Sequence, residues 1–481
     1  MATPLPKNHA AFTLPELVAI TGGTLVGPPS DLAVTHVSTD TRALQPGAVF
    51  VALVGKIHDG HAHVDAAASA GARVAIVDRE LAAPASITLV KVDDTLRALG
   101  EIARAHVTRW HEGRTVIGIT GSAGKTTTRV ATAALVEALA PGRLLATKGN
   151  LNNRIGVPMM LLSLSAEHHT AVLELGTSER GEIAELGHIA QPDVGILTLV
   201  AAAHLDGLGS IEGVASEKGA LFRALPAHGL AVGNADDPRI GRLLETAPCA
   251  KRLSYGRNPQ ASVHIVDRRP MGMDRSWVEV KHADGRQVAF ETPLIGEAGA
   301  LACAAALVTV EALFDTPLDG PWLTRAFAAV DVSLGAQRLV PHRFANGLAV
   351  IDDTYNANPI SMAASIQAAS EMATAAGRRL VLVLGEMREL GSEAARGHDG
   401  VGEAATRSGA ALVVAVGGGH AERIAARARE GGVEARFQSS VDGALLTLGE
   451  LLREGDLVLV KASRSVGADR IVRELGSLEL S

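Results

Sequence analysis

Thr115–Thr128 reads TVIGITGSAGKTTT, and few folds accommodate such a run. The β-branched residues Val116, Ile117 and Ile119 predict a buried strand, and Gly121-Ser122-Ala123-Gly124-Lys125-Thr126-Thr127 predicts a tight turn that opens a helix. A phosphate fits there. Glycines let backbone N–H groups converge on phosphate oxygens, the helix N-terminus adds partial positive charge, Lys125 supplies a mobile cation, and the Thr126 hydroxyl can ligate Mg²⁺. The common phosphate-loop spacing has a small residue five positions before the second glycine. Here that position is Ile119, so the loop is a shortened GxxGKTT variant.

The rest of the chain offers no general attraction for polyanions. Its net charge is −7 and only 3% of residues are aromatic, which excludes a basic nucleic-acid footprint and stacking platforms for single strands. Anionic ligands must be held locally. The longest apolar runs, such as Leu301 to Val310, are shorter than the roughly 18–20 residues of a membrane span, and MATPLPKNHA has no signal-peptide pattern. A cytoplasmic protein with no membrane span is expected. Cys249 and Cys303 have neither metal-ligand spacing nor a disulfide framework and read as small core residues. At 481 residues, two or three domains are expected.

Taken in order, the first hundred-odd residues alternate short patterns: a helix over Thr13–Ile20, strands over Ala48–Leu53 and Arg73–Val77, and an amphipathic helix over Thr95–Trp110. They predict a small α/β unit. Its polar loops, Ser38–Arg42 and Gly55–His61, suit either a nucleotide or sugar diphosphate or plain solvation. From Arg114 strands alternate with longer helices, which predicts a doubly wound parallel sheet whose ligands gather at the carboxyl ends of the strands. Ala171-Val172-Leu173 ends in Glu174, an acid able to hold Mg²⁺. Val194–Leu199 leads to His204, and Thr147–Asn153 is too rich in amides and glycine for a core element. Each alone reads as a surface acid, a satisfied histidine or turn formers, but all three would face the crevice of Lys125. Lys218, on a predicted helix, reads as solvent-facing on pattern alone. Lys251–Leu294, with a hairpin at Asp284-Gly285, predicts an antiparallel appendage on the middle domain. An alanine-rich helix follows over Ala298–Leu313, and a boundary is expected after Val330, near Gly335. Strands at Ala349–Ile351, Leu380–Leu384, Ala411–Val416 and Leu457–Val460 predict a third, Rossmann-like domain, with Gly417-Gly418-Gly419 as a helix-capping loop. The expected units are 1–112, 113–334 and 335–481.

Beyond the phosphate loop, the order GNLNNRIGVP (Gly149–Pro158), LELG (Leu173–Gly176), AAAHLDGLGS (Ala201–Ser210), EKGALF (Glu217–Phe222), DDTYNANP (Asp352–Pro359), GEMRELG (Gly385–Gly391) and VKASRS (Val460–Ser465) resembles the Mur ligase family, over all three expected domains. Within it, DTYNANP and AAAHLDG are similar to the members that join D-alanyl-D-alanine to UDP-N-acetylmuramoyl-tripeptide. The resemblance implies a monomeric, ATP-dependent amide ligase of peptidoglycan precursor synthesis, with ATP and Mg²⁺ as cofactors. The tripeptide carboxylate becomes an acyl phosphate, which the D-alanyl-D-alanine amine then attacks.

Carried over by residue, the resemblance implies that the loop Gly121–Thr127 holds ATP through Lys125 and Thr126, and that Thr126, Glu174 and His204 form the metal site together with Lys218, carbamylated by CO₂. Arg338 and Asp353 would reach ATP from the C-terminal domain. Asn150 and Asn153 would steady phosphates and the acceptor region, and Tyr355, Asn356, Asn358, Lys461, Ser463 and Arg464 would shape the D-alanyl-D-alanine side. Thr41 and Arg42, with the Gly55–His61 loop, would serve the UDP moiety. Two departures stand out. Gly296-Glu297-Ala298-Gly299-Ala300-Leu301-Ala302 lacks the family's His-Asn and further Asn that read adenine, and Ala336-Gln337-Arg338 replaces a Pro-Gly-Arg linker. An active ligase with altered adenine contacts is expected. Another amino-acid-adding or folylpolyglutamate-type ligase, or a non-catalytic nucleotide-binding paralogue, stays open.

Overall fold

Three clusters of β-branched strands each organise a sheet in the computed structural model, which describes residues 3–26, 33–55, 57–82, 84–331 and 338–478. The expected boundary at Gly335, the linker residues Ala336 and Gln337, and Lys56 of the Gly55–His61 loop lie outside the described residues. In the N-terminal sheet, the strands Val37–Ser38, Val49–Val51, Val74–Val77 and Thr88–Lys91 run parallel, and Thr24–Val26 pairs antiparallel at the edge. The helix Thr95–Trp110 starts where Asp94 accepts from the N–H groups of Leu96 and Arg97. Its apolar side, Leu99, Ile102, Ala103, Val107 and Trp110, is buried against both this unit and the helices Gly156–Leu161 and Glu182–Ala190. One apolar core therefore runs from Phe12 and Leu17 through this helix to Val116, Met160 and Leu186.

The middle sheet has nine strands. Leu144–Ala146, Thr170–Glu174, Thr115–Thr120, Val194–Leu197, Leu230–Asn234, Lys251–Gly256 and Val263–Met271 lie in that order and parallel. Arg275–His282 and Gln287–Thr292 then add antiparallel. The expected appendage is thus the far edge of the same sheet: Tyr255 and Gly256 pair in parallel register with Val263 and His264 before the hairpin turns back. The chain leaves Thr115–Thr120 for neighbours on one side and returns on the other, so the phosphate loop sits at the switch point, where the crevice opens.

The alanine-rich helix is longer than its sequence pattern suggested, spanning Gly296–Phe314. At 19 residues it is long and apolar enough to cross a membrane, but it is a core helix, mostly buried and packed along the phosphate-loop helix Lys125–Leu139. The third sheet orders Val340–Arg343, Ala349–Asp353, Leu457–Lys461, Leu380–Gly385, Leu412–Val416 and Glu434–Gln438; the first pair is antiparallel and the rest parallel. The carboxyl ends of its central strands face those of the middle sheet across one cavity.

An ion pair ties the middle sheet to the end of the helix that precedes it. His111 Nε2 lies 2.9 Å from Asp193 Oδ2, which also accepts from the Val116 N–H at 2.8 Å. The carboxylate raises the His111 pKa by hydrogen bonding, more than partial burial lowers it. A raised folded-state value means stability fully present below the unfolded pKa and lost as pH rises through the folded one. Removing the imidazole in His111→Ala is expected to cost about 1 kcal/mol more at pH 5.5 than at pH 8.5. Denaturant midpoints of the two proteins at both pH values check this.

Candidate active site

The phosphate loop is clamped by the segment that follows the neighbouring strand. Ser122 N donates to Leu199 O at 2.7 Å, the Ser122 hydroxyl exchanges bonds with Ala201, and Thr198 Oγ1 donates to Ala123 O at 2.6 Å. Gly121 allows this approach. Its φ is +156°, and an added Cβ would lie 1.9 Å from Thr198 Oγ1. Gly124 takes a left-handed conformation as N-cap of Lys125–Leu139, and no side chain caps that end. Lys125 Nζ folds back to donate to Gly121 O at 2.6 Å. Burial, reinforced by the charge of Arg338 and opposed by Glu174, lowers its pKa to about 8.

Glu174 ends its strand fully buried. One oxygen accepts from Thr126 Oγ1 at 3.1 Å and the other from Arg129 Nε at 2.8 Å, while its backbone N–H donates to Thr147 Oγ1. Thr126 and Arg129 are three residues apart on one helix face, so both reach the same carboxylate. His204 has φ +54° beyond the next strand, and its Nδ1 lies 2.5 Å from Glu389 Oε2. Burial depresses its pKa; Glu389 opposes this, and Lys125 and Lys218 add to it. Lys218 is 1% exposed and makes no hydrogen bond or ion pair among the described residues. Burial, with Lys125 adding repulsion, holds its amine well below the usual range. Lys125 and Arg338 line the cavity, and Glu174, His204 and Lys218 are close enough to Lys125 to feel or shift its charge.

The C-terminal sheet supplies the facing wall. Asp353 and Lys461 end adjacent parallel strands in register, and Lys461 Nζ donates to Asp353 Oδ2 at 2.7 Å and to Asn356 O at 3.0 Å. Ser365 Oγ donates to the same carboxylate oxygen. Arg338 lies 5.0 Å and Arg464 5.9 Å from the centre of the Tyr355 ring, so one aromatic face organises two guanidinium groups. Asn358 caps the helix Pro359–Ala376 and also donates to Ser122 O at 3.4 Å, joining this wall to the phosphate loop. The cavity between the walls measures about 640 Å³ and runs from Ser122 and Lys125 past Asn234 and Arg338 to an apolar end at Tyr255 and Leu301.

Other candidate residues sit away from this cluster. Asn150 is exposed and accepts from Thr3 Oγ1, and Asn153 accepts from the N–H groups of Ile155 and Gly156, starting a helix. Thr41 and Arg42 occupy a short 3₁₀ turn of the N-terminal unit, with Arg42 exposed and paired to Asp40. The Ser463 hydroxyl is buried without a hydrogen-bond partner. Among the described residues no three His, Cys, Asp or Glu side chains are grouped as a metal cluster; Glu174 is paired with Arg129, and His204 lies against Glu389. The sequence reading missed Arg129 and Glu389. The three-residue spacing from Thr126 marks Arg129, whereas Glu389 lies within the GEMRELG motif (Gly385–Gly391) with nothing local to give its partner.

Gly121→Ala is expected to cost about 1–3 kcal/mol of stability, because Thr198 must move to admit the new Cβ, and to abolish nucleotide binding with it. A thermal shift on adding ATP, retained by the unmutated protein and lost in the variant, is the check.

Comparison with known proteins places this geometry. The Mur ligase middle domain matches residues 119–310, the glutamate ligase domain of Mur ligases residues 337–464, and the Mur ligase family catalytic domain residues 33–107. The chain is 37% identical over 471 residues to UDP-N-acetylmuramoyl-tripeptide--D-alanyl-D-alanine ligase of Escherichia coli, with 97% of this chain and 98% of that protein covered. The crystal structure of MurF from Acinetobacter baumannii superposes with a TM-score of 0.85 at 29% identity, covering 98% of this chain and all of that one. MurF from Thermotoga maritima, solved in complex with ADP, gives 0.80 at 25% identity over 92% of this chain and 97% of that one. With its phosphate loop at the switch point of the middle sheet and relatives aligned over nearly its whole length, the chain belongs to the Mur ligase family.

Proposed function

We propose that this chain is an ATP-dependent amide ligase that joins D-alanyl-D-alanine to UDP-N-acetylmuramoyl-tripeptide in peptidoglycan precursor synthesis. The observation that carries the reading is the pair Lys125 and Arg338 at the phosphate-loop end of the cavity between the domains, with the buried amine of Lys218 close to Lys125, in a chain whose full-length relatives are named for that reaction. Nucleotide-linked substrate and ATP place the reaction in the cytoplasm. One chain surrounds the cavity, so a monomer suffices.

In this reading, residues 1–112 hold the UDP moiety through Thr41, Arg42 and the loop around His61, 113–334 hold ATP, and 335–481 bind D-alanyl-D-alanine and close on ATP. A carboxylate is a poor acyl donor until one oxygen becomes a phosphate leaving group. The tripeptide carboxylate oxygen attacks the γ-phosphorus of ATP, the bond to the bridging oxygen breaks, and acyl phosphate and ADP result. The D-alanyl-D-alanine amine then adds to the acyl carbon, and the tetrahedral oxyanion collapses with release of phosphate.

The backbone N–H groups of Ser122–Thr127 orient the β- and γ-phosphates. Lys125, released from Gly121 O, follows the charge that builds on the transferring group, and Arg338 approaches it from the C-terminal side. Asn150 and Asn153 steady the phosphates and acceptor; Tyr355, Asn356, Asn358, Lys461 and Ser463 line the D-alanyl-D-alanine side, with Asp353 holding Lys461 in place.

Mg²⁺, when bound, neutralises phosphate charge, and the hydroxyl of Thr126, the carboxylate of Glu174 and the imidazole of His204 are donors that fit it. Lys218 completes the set as a carbamate. A buried amine whose neutral form is favoured can attack CO₂ through its nitrogen lone pair and lose a proton, so that a neutral amine becomes a carbamate with one negative charge.

Lys125→Ala should lower turnover at least about 10²-fold, measured as mass-detected product and phosphate release with D-alanyl-D-alanine. Single amino acids in its place should give no product; product from them would favour another member of the family. With ¹³C-labelled bicarbonate, the protein should show a carbamate carbonyl resonance that Lys218→Arg lacks.

A further inference from the structure

The carboxylate that meets His204 comes from the other side of the cavity. Glu389 follows the strand Leu380–Gly385 of the C-terminal sheet, whereas His204 follows Val194–Leu197 of the middle sheet. Nδ1 and Oε2 are 2.5 Å apart. Both residues hold left-handed backbone conformations, φ +54° at His204 and +63° at Glu389, which few non-glycine residues adopt, histidine more readily than glutamate. Beside them the Asp206 carboxylate lies against Gly391, where φ is +53° and an added Cβ would sit 2.8 Å from Oδ1. Two turns from different sheets are therefore held in costly conformations where they touch. Such costs, about 1–3 kcal/mol each, persist where surrounding contacts determine the backbone.

His204 Nδ1 is buried with no hydrogen-bond partner of good geometry, and the ionised carboxylate 2.5 Å away can only accept, so this pairing favours the hydrogen on Nδ1. In the neutral ring this leaves the lone pair on Nε2. Glu389 is itself 60% exposed, so the contact is not part of the packed core.

We propose that Glu389 is a positioning residue: docking of the C-terminal domain sets its carboxylate on Nδ1 of His204, fixing the tautomer and rotation of the ring so that Nε2 is the nitrogen offered to the phosphate end of the cavity. The inference rests on the ligase reading for what Nε2 then serves. It makes the middle-domain site complete only when the C-terminal domain is docked, because one carboxylate links the two.

The test uses the full-length protein and the variants Glu389→Ala, Glu389→Asn and Glu389→Gln. Asparagine accepts the left-handed backbone but is too short to reach; glutamine keeps length and an acceptor oxygen. Turnover with D-alanyl-D-alanine should fall about 10–100-fold in kcat for the alanine and asparagine variants, with KM for ATP changed less than about threefold, and glutamine should restore most of it. Without nucleotide, ¹⁵N spectra of histidine-labelled protein, with His204 assigned by its loss in His204→Asn, should show the Nδ1–H tautomer in the unmutated protein and the glutamine variant and its loss in the other two. An unchanged tautomer in Glu389→Ala, or kcat equal to that of the unmutated protein, overturns the proposal. If the unmutated protein makes no product, the ligase reading fails instead, and the spectra alone decide whether Glu389 fixes the ring.

Discussion

Like charges gathered out of water are the constraint around which this molecule is built. Lys125 feels the charge of Arg338 and Lys218 feels that of Lys125, and both lysines are more costly to keep ionised there than on the surface. Glu174, the carboxylate at the same end, is already engaged by Thr126 and Arg129. Part of the cost is met by losing charge, since burial and mutual repulsion depress both lysines. The remainder is a standing preference for anions. The fold tolerates it because the surrounding structure is stiff: the phosphate loop is tied to Thr198, Leu199 and Ala201 by bonds that a bound phosphate does not need.

Parallel-sheet topology explains why these groups meet at all. Side chains at the carboxyl ends of strands emerge together, so Glu174 and the phosphate loop come from adjacent strands of one sheet, and Asp353 and Lys461 from adjacent strands of another. Facing the two sheets end to end doubles the number of groups that reach one cavity. Asn358 shows how local and global order coincide: the same side chain starts the helix Pro359–Ala376 and reaches the backbone of Ser122.

What the letters made legible follows from the range of each signal. The helix Thr95–Trp110 has its observed limits in the sequence, because Asp94 caps it and its apolar face repeats at helical spacing. The phosphate loop was legible because glycines, lysine and threonines act within seven residues. The strand Glu434–Gln438 was not, since it is a half-exposed edge with charged alternation and no buried run. The continuation of the middle sheet through Val263–Met271 was missed for a different reason. A hairpin announces its own antiparallel pairing but not the parallel partner its first strand finds across the sheet. GEMRELG was legible as a motif but the partner of its Glu389 was not, because that depends on a residue 185 positions away and on how two sheets face each other.

The base end of the cavity shows the same logic where family-like side chains are missing. Ala298, Gly299 and Ala302 offer no polar group, and the wall around them is built from Tyr255, Leu294, Ile295 and Leu301. Glu297, also in that lining, has its pKa lowered: burial pushes it up, but Arg257 at 2.7 Å and Arg268 at 3.3 Å outweigh burial and keep it ionised. Arg268 continues across to Glu371 of the C-terminal domain at 2.5 Å. A half-buried chain Arg257–Glu297–Arg268–Glu371 thus spans the two walls where the amides are absent. A flat heteroaromatic ring meeting apolar walls gains mainly by burial, at roughly 25 cal/mol per Å² of apolar surface, and this gain is indifferent to the ring's hydrogen-bonding pattern. The wall loses directional reading of the base edge but gains an ionic connection between the domains. Closure at this end is therefore held by protein–protein charge pairing as well as by the ligand, while at the phosphate end it depends on the anion that the gathered cations require.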